Sequence, residues 1–240
     1  MLKRLFTILS LITALAALAE EPATPATYRL NVQNFSELTV VDGVCVDYYC
    51  RADSAGRAIF TCLPEVASEI MFSNDNDRLT IQTAANEKAL VGIPRIKVYS
   101  VSLRKVENSG DSLVRVYTSQ PVKQFKASQI GNGSLEVSGI DADKFDGSIT
   151  AGNGSLTVKG KANKAKISNV GSGPIDAKDL EVPEISCFVF GSGDIEVKPS
   201  ESLRVYGAGS GKVRYHGTPK VKLRGIGVKA ESINSDTAAL

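Results

Sequence analysis

The chain has 240 residues, enough for one or two domains with a core able to fold alone. Aromatic residues make up only 6%, Trp is absent and His216 is the single histidine, which excludes a His-rich metal site and a metalloprotease helix of the H-E-x-x-H type. The formal charge is +2, and acidic and basic side chains balance once Lys3 and Arg4 are set aside with the N-terminal segment, which argues against a nucleic-acid binder.

The N-terminus places Lys3 and Arg4 before an apolar run from Leu5 to about Leu18. Two cations followed by a short apolar stretch read as a secretory signal. Ala17-Leu18-Ala19 satisfies the small-x-small cleavage rule, so residues 1–19 are expected to be removed and the mature chain to start at Glu20. A retained anchor is the competing reading, but the run falls short of the roughly 20 apolar residues that span a bilayer. No Cys follows it to carry a lipid, and no second apolar stretch reaches spanning length. Residues 20–27 are polar, contain two prolines and are expected to form a flexible leader.

Residues 28–106 are predicted to form an N-terminal β region. Leu38 and Val40, Val44 and Val46, Ile59, Thr61 and Leu63, then Leu79 and Ile81 alternate with polar neighbours. Asn74-Asp75-Asn76-Asp77 reads as a turn between two such runs. Only the stretch from Pro64 to Glu69 hints at helix. Export permits disulfides, and four cysteines (Cys45, Cys50, Cys62, Cys187) allow three full pairings. Cys50 and Cys62 flank a turn-like stretch, Asp53 to Arg57, and are the candidate bridge; four buried free thiols are the alternative. A catalytic thiol would require a nearby histidine, and His216 is remote in sequence.

Residues 107–230 repeat a short unit. Gly131-Asn132-Gly133-Ser134-Leu135-Glu136-Val137 recurs as Gly152-Asn153-Gly154-Ser155-Leu156-Thr157-Val158 and as Gly191-Ser192-Gly193-Asp194-Ile195-Glu196-Val197. The second glycine of each unit falls at Gly110, Gly133, Gly154, Gly173, Gly193, Gly211 and Gly227, a period near twenty residues that marks a solenoid. The glycines are expected to turn the chain sharply, through positive φ where the corner demands it. The alternating apolar pair behind each corner, such as Leu135 and Val137 or Ile195 and Val197, would face a core. A second run precedes each corner, for example Phe125 to Ile130 and Ile185 to Val189. Each unit therefore reads as strand, glycine corner, strand and polar turn, with Pro121, Pro183, Pro199 and Pro219 in the turns. One unit cannot bury its apolar face alone, but stacking at about 4.8 Å per coil does so. The predicted fold is all-β: a parallel β-helix (β-solenoid) carrying the N-terminal β region. A hairpin sandwich is the alternative, and it leaves the likeness among the corners unexplained. Residues 231–240 are expected to be a flexible tail.

Several motifs reduce to this repeat. Gly207 to Lys212 imitates a phosphate loop but has Tyr206 and Val213 where that loop needs Gly and Ser or Thr. Gly225-Ile226-Gly227-Val228 matches a dinucleotide fingerprint by letters, with too little chain after it for the required helix and strand. Calcium between coils would need Asp at one place in successive units, whereas the residues there are Asp111, Ser134, Ser155, Pro174, Asp194 and Lys212. Asp141, Asp143 and Asp146 cluster on one unit and could serve a polysaccharide-cleaving enzyme, but no neighbouring unit repeats them, which favours a solvated turn. Tyr48, Tyr49, Tyr99, Tyr117, Tyr206 and Tyr215 are the candidate platforms for sugar stacking. The Asn-x-Ser triplets at Asn132 and Asn153 sit in glycine corners, where Asn serves the backbone.

The glycine units, Phe35-Ser36-Glu37-Leu38-Thr39-Val40 with Gly43-Val44, the strand Leu79-Thr80-Ile81 and the late Tyr215-His216-Gly217-Thr218-Pro219 resemble the head GIN domain family of auto-transporter adhesins. The resemblance spans roughly residues 28–230. It implies a β-helical fold in an exported protein of Gram-negative bacteria, in the periplasm or at the cell surface, and brings no catalytic residues with it. The expected function is a non-enzymatic, adhesin-like binding or scaffold module of the cell envelope, with envelope glycans or envelope proteins as partners and no cofactor, metal or nucleic acid. A carbohydrate-active β-helix enzyme, lyase or hydrolase, is the alternative.

Overall fold

The computed structural model describes residues 23–84 and 92–233. The signal segment, the cleavage point before Glu20 and residues 234–240 of the tail lie outside the described residues. Among the described residues no helix is long and apolar enough to cross a membrane.

Strands account for nearly all the regular structure. The N-terminal part contributes β1 (Ala26–Asn31), β2 (Glu37–Val41), β3 (Val46–Cys50), β4 (Arg57–Cys62), β5 (Ile70–Asp75), β6 (Arg78–Thr83) and β7 (Ile96–Ser100). The one α-helix among the described residues, α1 (Pro64–Ser68), sits where the sequence hinted at it and opens on a proline, whose missing N–H is harmless in a first turn. The repeats contribute β8 (Lys105–Ser109), β9 (Leu113–Tyr117), β10 (Val122–Ile130), β11 (Ser134–Ala151), β12 (Ser155–Asn169), β13 (Ile175–Val189), β14 (Ile195–Ala208), β15 (Lys212–His216), β16 (Lys220–Ile226) and β17 (Lys229–Ile233). They wind into a β-solenoid of about 6 turns.

Parallel pairing in register is what makes the repeat a core. Val46, Val114, Leu135, Leu156, Ile175, Ile195 and Val213 are successive partners in one column, and all are fully buried. The facing sheet stacks Leu38, Val106, Ala127, Gly147, Ile167, Cys187 and Val205. Side-chain volumes compensate between layers: Phe125 stacks on Phe145, with ring centroids 6.5 Å apart, and the next layer answers with Ala165. A Cβ on Gly147 would lie 2.8 Å from the Phe145 ring, so the glycine makes room for the aromatic. Each buried aliphatic contributes roughly 1.5–3 kcal/mol, repeated layer after layer.

The chain does not enter the stack in sequence order. β2 pairs in parallel with both β6 and β8, and β3 with both β7 and β9. The layers therefore run β6/β7, β2/β3, β8/β9 and then the repeats. At the β6/β7 end the direction reverses: β5 pairs antiparallel with β6, β4 with β7, and β1 with β4. An antiparallel overlay thus covers this end of the parallel ladder, with β1 and β5 its outermost described strands.

The layers are tied by charge where β2 enters. Glu37, nearly buried, accepts hydrogen bonds from Arg78 Nε (3.0 Å) and Nη2 (2.8 Å), and its other oxygen lies 2.9 Å from Arg104 Nη1. Burial alone would raise its pKa, but the Arg78 hydrogen bonds and the charges of Arg104, Arg78 and Lys105 outweigh that and hold the carboxyl below its ordinary value. A depressed carboxylate stabilises the fold above its unfolded pKa, and the stabilisation is lost as pH falls through the folded pKa. Glu37→Gln should therefore cost about 1–2 kcal/mol at neutral pH, and denaturant unfolding should show the deficit closing below about pH 4.

Three sequence expectations are corrected. The polar turn between strands is absent from the central coils: β11 to β14 run on around the bend, with register shifts such as those between Val137 and Ile140 and between Ala177 and Val182. Pro183 and Pro199 accordingly lie inside β13 and β14, at or beside these irregularities, because hydrogen bonding to the neighbouring coils carries the strand through the bend. The second corner glycines, Gly110, Gly133, Gly154, Gly173, Gly193 and Gly211, do not take positive φ. Their requirement is steric: a Cβ would lie 2.3 Å from Ser112 O at Gly133, 2.5 Å from Gly133 O at Gly154 and 1.8 Å from Gly154 O at Gly173. Positive φ falls instead on the first glycine of two corners, Gly131 (+94°) and Gly152 (+88°), and on Gly227 (+81°) in the last unit. Finally, Cys50 and Cys62 are free thiols. Cys50 pairs with Ser100, whereas Cys62 lies five residues along β4 from Arg57, the partner of Tyr99, which is about 16 Å at strand rise.

Candidate binding surface

In a parallel stack, residues facing outward at the same position form columns as regular as those of the core, so like side chains line up. At the corners the column is polar. Asn132 N donates to Asp111 Oδ1 (3.1 Å), Asn153 N donates to Asn132 Oδ1 (3.2 Å), and the Ser172 hydroxyl donates to Asn153 Oδ1. Just inside, Asn108 Nδ2 donates to Ser112 O and Asn169 Nδ2 to Gly173 O, each at 2.9 Å across its own corner. These asparagines belong to the scaffold.

The β7, β3 and β9 layers produce a different column. Tyr99, Tyr49 and Tyr117 are successive partners, and all three point outward. The ring centroids are 5.7 Å apart between Tyr49 and Tyr99 and 5.1 Å apart between Tyr49 and Tyr117, with interplanar angles of 23° and 13°. Tyr117 ends the strip at 42% exposure. Burial, followed by the nearby Asp47 carboxylate, raises the Tyr49 pKa and keeps the phenol neutral. Beside the strip runs a charged column in which Arg95 Nη1 holds Asp47 Oδ1 at 2.8 Å and Arg115 Nε holds Glu136 Oε2 at 3.2 Å. The surface is aromatic along one line and polar along the next. Of the other tyrosines in the sequence reading, Tyr48 is core, its hydroxyl 2.8 Å from Ser100 Oγ. Tyr206 stacks on Phe188 on the opposite sheet at 5.3 Å, and Lys166 Nζ lies 4.9 Å from the Phe188 centroid.

Asp141 and Asp143 line one groove of ≈ 370 Å³, Asp146 lies outside it, and each carboxylate is engaged by a neighbouring side chain. Asp141 pairs with Lys161 at 3.1 Å, Asp143 accepts from Asn163 Nδ2 at 3.1 Å, and Asp146 accepts from Gln124 on the preceding layer. His216 Nε2 lies 2.8 Å from Glu196 Oε1, beside a groove of ≈ 710 Å³ on the flank of the stack. Cys187 is fully buried, and burial pushes its thiol far up, so it is an inert part of the core. Gly207 to Lys212 and Gly225 to Val228 are corners, with no helix after either among the described residues. Asp111 and Asp194 are both used in bonds to the next coil, and the described residues contain no cluster suited to a metal ion.

A continuous parallel stack with columnar outer faces defines a β-solenoid repeat protein. The chain belongs to the head GIN domain family: the family model described as "Putative auto-transporter adhesin, head GIN domain" matches residues 34–219. Among solved structures, a putative adhesin from Parabacteroides distasonis ATCC 8503 is similar at 25% identity and TM-score 0.72, covering 88% of this chain and 98% of that one. A putative adhesin from Bacteroides fragilis NCTC 9343 is similar at 16% identity and TM-score 0.76, covering 88% and 97%. A third, described as a putative lipid binding protein from Parabacteroides distasonis ATCC 8503, has 21% identity and TM-score 0.69, covering 88% and 97%. A search of curated proteins finds no match.

Proposed function

We propose that this protein is a non-enzymatic, adhesin-like binding module of the bacterial envelope, exported by its N-terminal signal, and that the Tyr99–Tyr49–Tyr117 strip is its contact surface for an envelope glycan. The strip carries the reading. Tyr and Arg supply a disproportionate share of binding energy at interfaces, because they offer a rigid apolar body with a polar tip. A sugar ring has the matching form, an apolar C–H face inside a polar rim, and the Asp47–Arg95 and Arg115–Glu136 pairs border the strip to meet that rim. Membership of the adhesin family and the engagement of Asp141, Asp143 and Asp146 each by its own partner side chain support binding over cleavage.

The test is a glycan and envelope-protein binding screen on the chain starting at Glu20. Tyr117→Ala should weaken binding of the captured ligand by roughly tenfold or more, the scale of an interface anchor, while lowering stability by no more than about 1 kcal/mol, the worth of its stack on Tyr49. Asp141→Asn and Asp146→Asn should leave binding unchanged. If the protein instead cleaves a polysaccharide, and either Asp change abolishes cleavage with the fold intact, the enzyme reading replaces this one.

A further inference from the structure

The two ends of the stack are built differently. The parallel strands β6 and β7 are overlaid by the antiparallel strands β5 and β4, whereas among the described strands β16 pairs only with β14, and β17 only with β15. Among the described residues, β16 thus has no strand partner for the row of backbone N–H and C=O groups on its outer side. Its side chains alternate: Lys220, Lys222 and Arg224 between Val221, Leu223 and Gly225. Val221 and Leu223 sit directly over the buried Leu203 and Val205, yet are 36% and 46% exposed, because they are core positions with no layer beyond them among the described residues.

We propose that this open layer receives an extended segment of another protein as an added parallel or antiparallel strand, and that the segment alternates apolar with acidic residues. The unpaired backbone edge is the template for strand addition, and side-chain pockets at every second position set its specificity. Apolar residues of the guest would cover Val221 and Leu223 and continue the core column. Its carboxylates would lie against Lys220, Lys222 and Arg224. A second copy of this chain is disfavoured, because an antiparallel pairing of β16 with itself about Leu223 sets Lys222 against Arg224, and like charges directly opposed are destabilising. A bilayer would cover the apolar side chains but leave the edge amides and carbonyls unsatisfied. Basic residues that merely guarded the edge would not require Val221 and Leu223 to stay uncovered.

The experiment uses the chain from Glu20 and two peptides of about seven residues, long enough to span β16, one alternating Glu with Val and the other Lys with Val. Hydrogen exchange reads the β16 amides, and fluorescence anisotropy reads affinity. The Glu–Val peptide should slow exchange along residues 220–226, and the Lys–Val peptide should not. The combined change Lys222→Glu and Arg224→Glu, checked for unaltered unfolding, should weaken the Glu–Val peptide by about tenfold or more and let the Lys–Val peptide bind. The proposal is overturned if neither peptide protects β16, if both protect it equally, if sedimentation shows a dimer that protects β16 without peptide, or if anionic phospholipid vesicles bind at Lys222 and Arg224 while the peptides do not.

Discussion

Gly173→Ala should destabilise the protein by about 3–5 kcal/mol, the largest loss expected from adding one methyl group. The Cβ would lie 1.8 Å from Gly154 O and 2.6 Å from Asn153 O, both backbone atoms of the layer next to it. No rotamer relieves that contact, so two layers must separate and give up their hydrogen bonds along the corner. The instructive comparison is Gly227→Ala. Its φ of +81° and a Cβ position 2.4 Å from Gly209 O also strain the chain, but the last unit has no layer beyond it among the described residues and can fray locally. A loss of about 1–2 kcal/mol is expected there. Urea unfolding of both variants gives the two values. Equal, negligible losses would mean that the corners are not stacked.

Phe145→Ala should cost about 3–5 kcal/mol, as expected for emptying a core aromatic site. Phe145 is buried against Phe125 on one side, and Ala165 on the other is too small to fill the space. Leu223→Ala, at a core-column position in the last layer, should stay within about 0.5 kcal/mol. Guanidinium midpoints for the pair test the additive, layer-by-layer account. A loss at Leu223 as large as that at Phe145 would show the last layer to be covered already, and would count against an open end.

The repeat was readable because its two signals are local. The glycine pairs recur at a near-constant step, and alternation behind each, as in Leu135 and Val137, identifies the inward face. Pairing Leu135 with Leu156 and Ile175 then follows from superposing like units. The bends were misread because Pro183 and Pro199 resemble turn residues, and only hydrogen bonding between coils shows the strand continuing through them. The corner glycines were recognised with the wrong cause, since a clash with a neighbouring coil leaves no trace in a single unit. Tyr49, Tyr99 and Tyr117 stand among the candidate stacking platforms in the sequence, but their alignment into one strip is not legible there. Its members come from layers whose spatial order, β7, β3 and β9, differs from their chain order, and no local pattern records that β3 inserts between the other two. The Cys50–Cys62 pairing failed for a related reason: the stretch between them is a turn, but β4 leaves it toward β7 and carries Cys62 away.

The most direct test of the stacked solenoid is amide hydrogen exchange at the corners. Gly133 N donates to Gly110 O and Gly154 N to Gly131 O, both at 3.0 Å, while Gly193 N donates to Gly171 O and Gly211 N to Gly191 O at 3.3 Å. Glycine-rich loops ordinarily exchange freely, but these four amides are held by the neighbouring coil and can open only when the layers part. The account predicts protection at Gly133, Gly154, Gly193 and Gly211 comparable to that of the buried strand amides around Leu156 and Ile175. Exchange at the free-loop rate at all four corners, with those strand amides still protected, would contradict it.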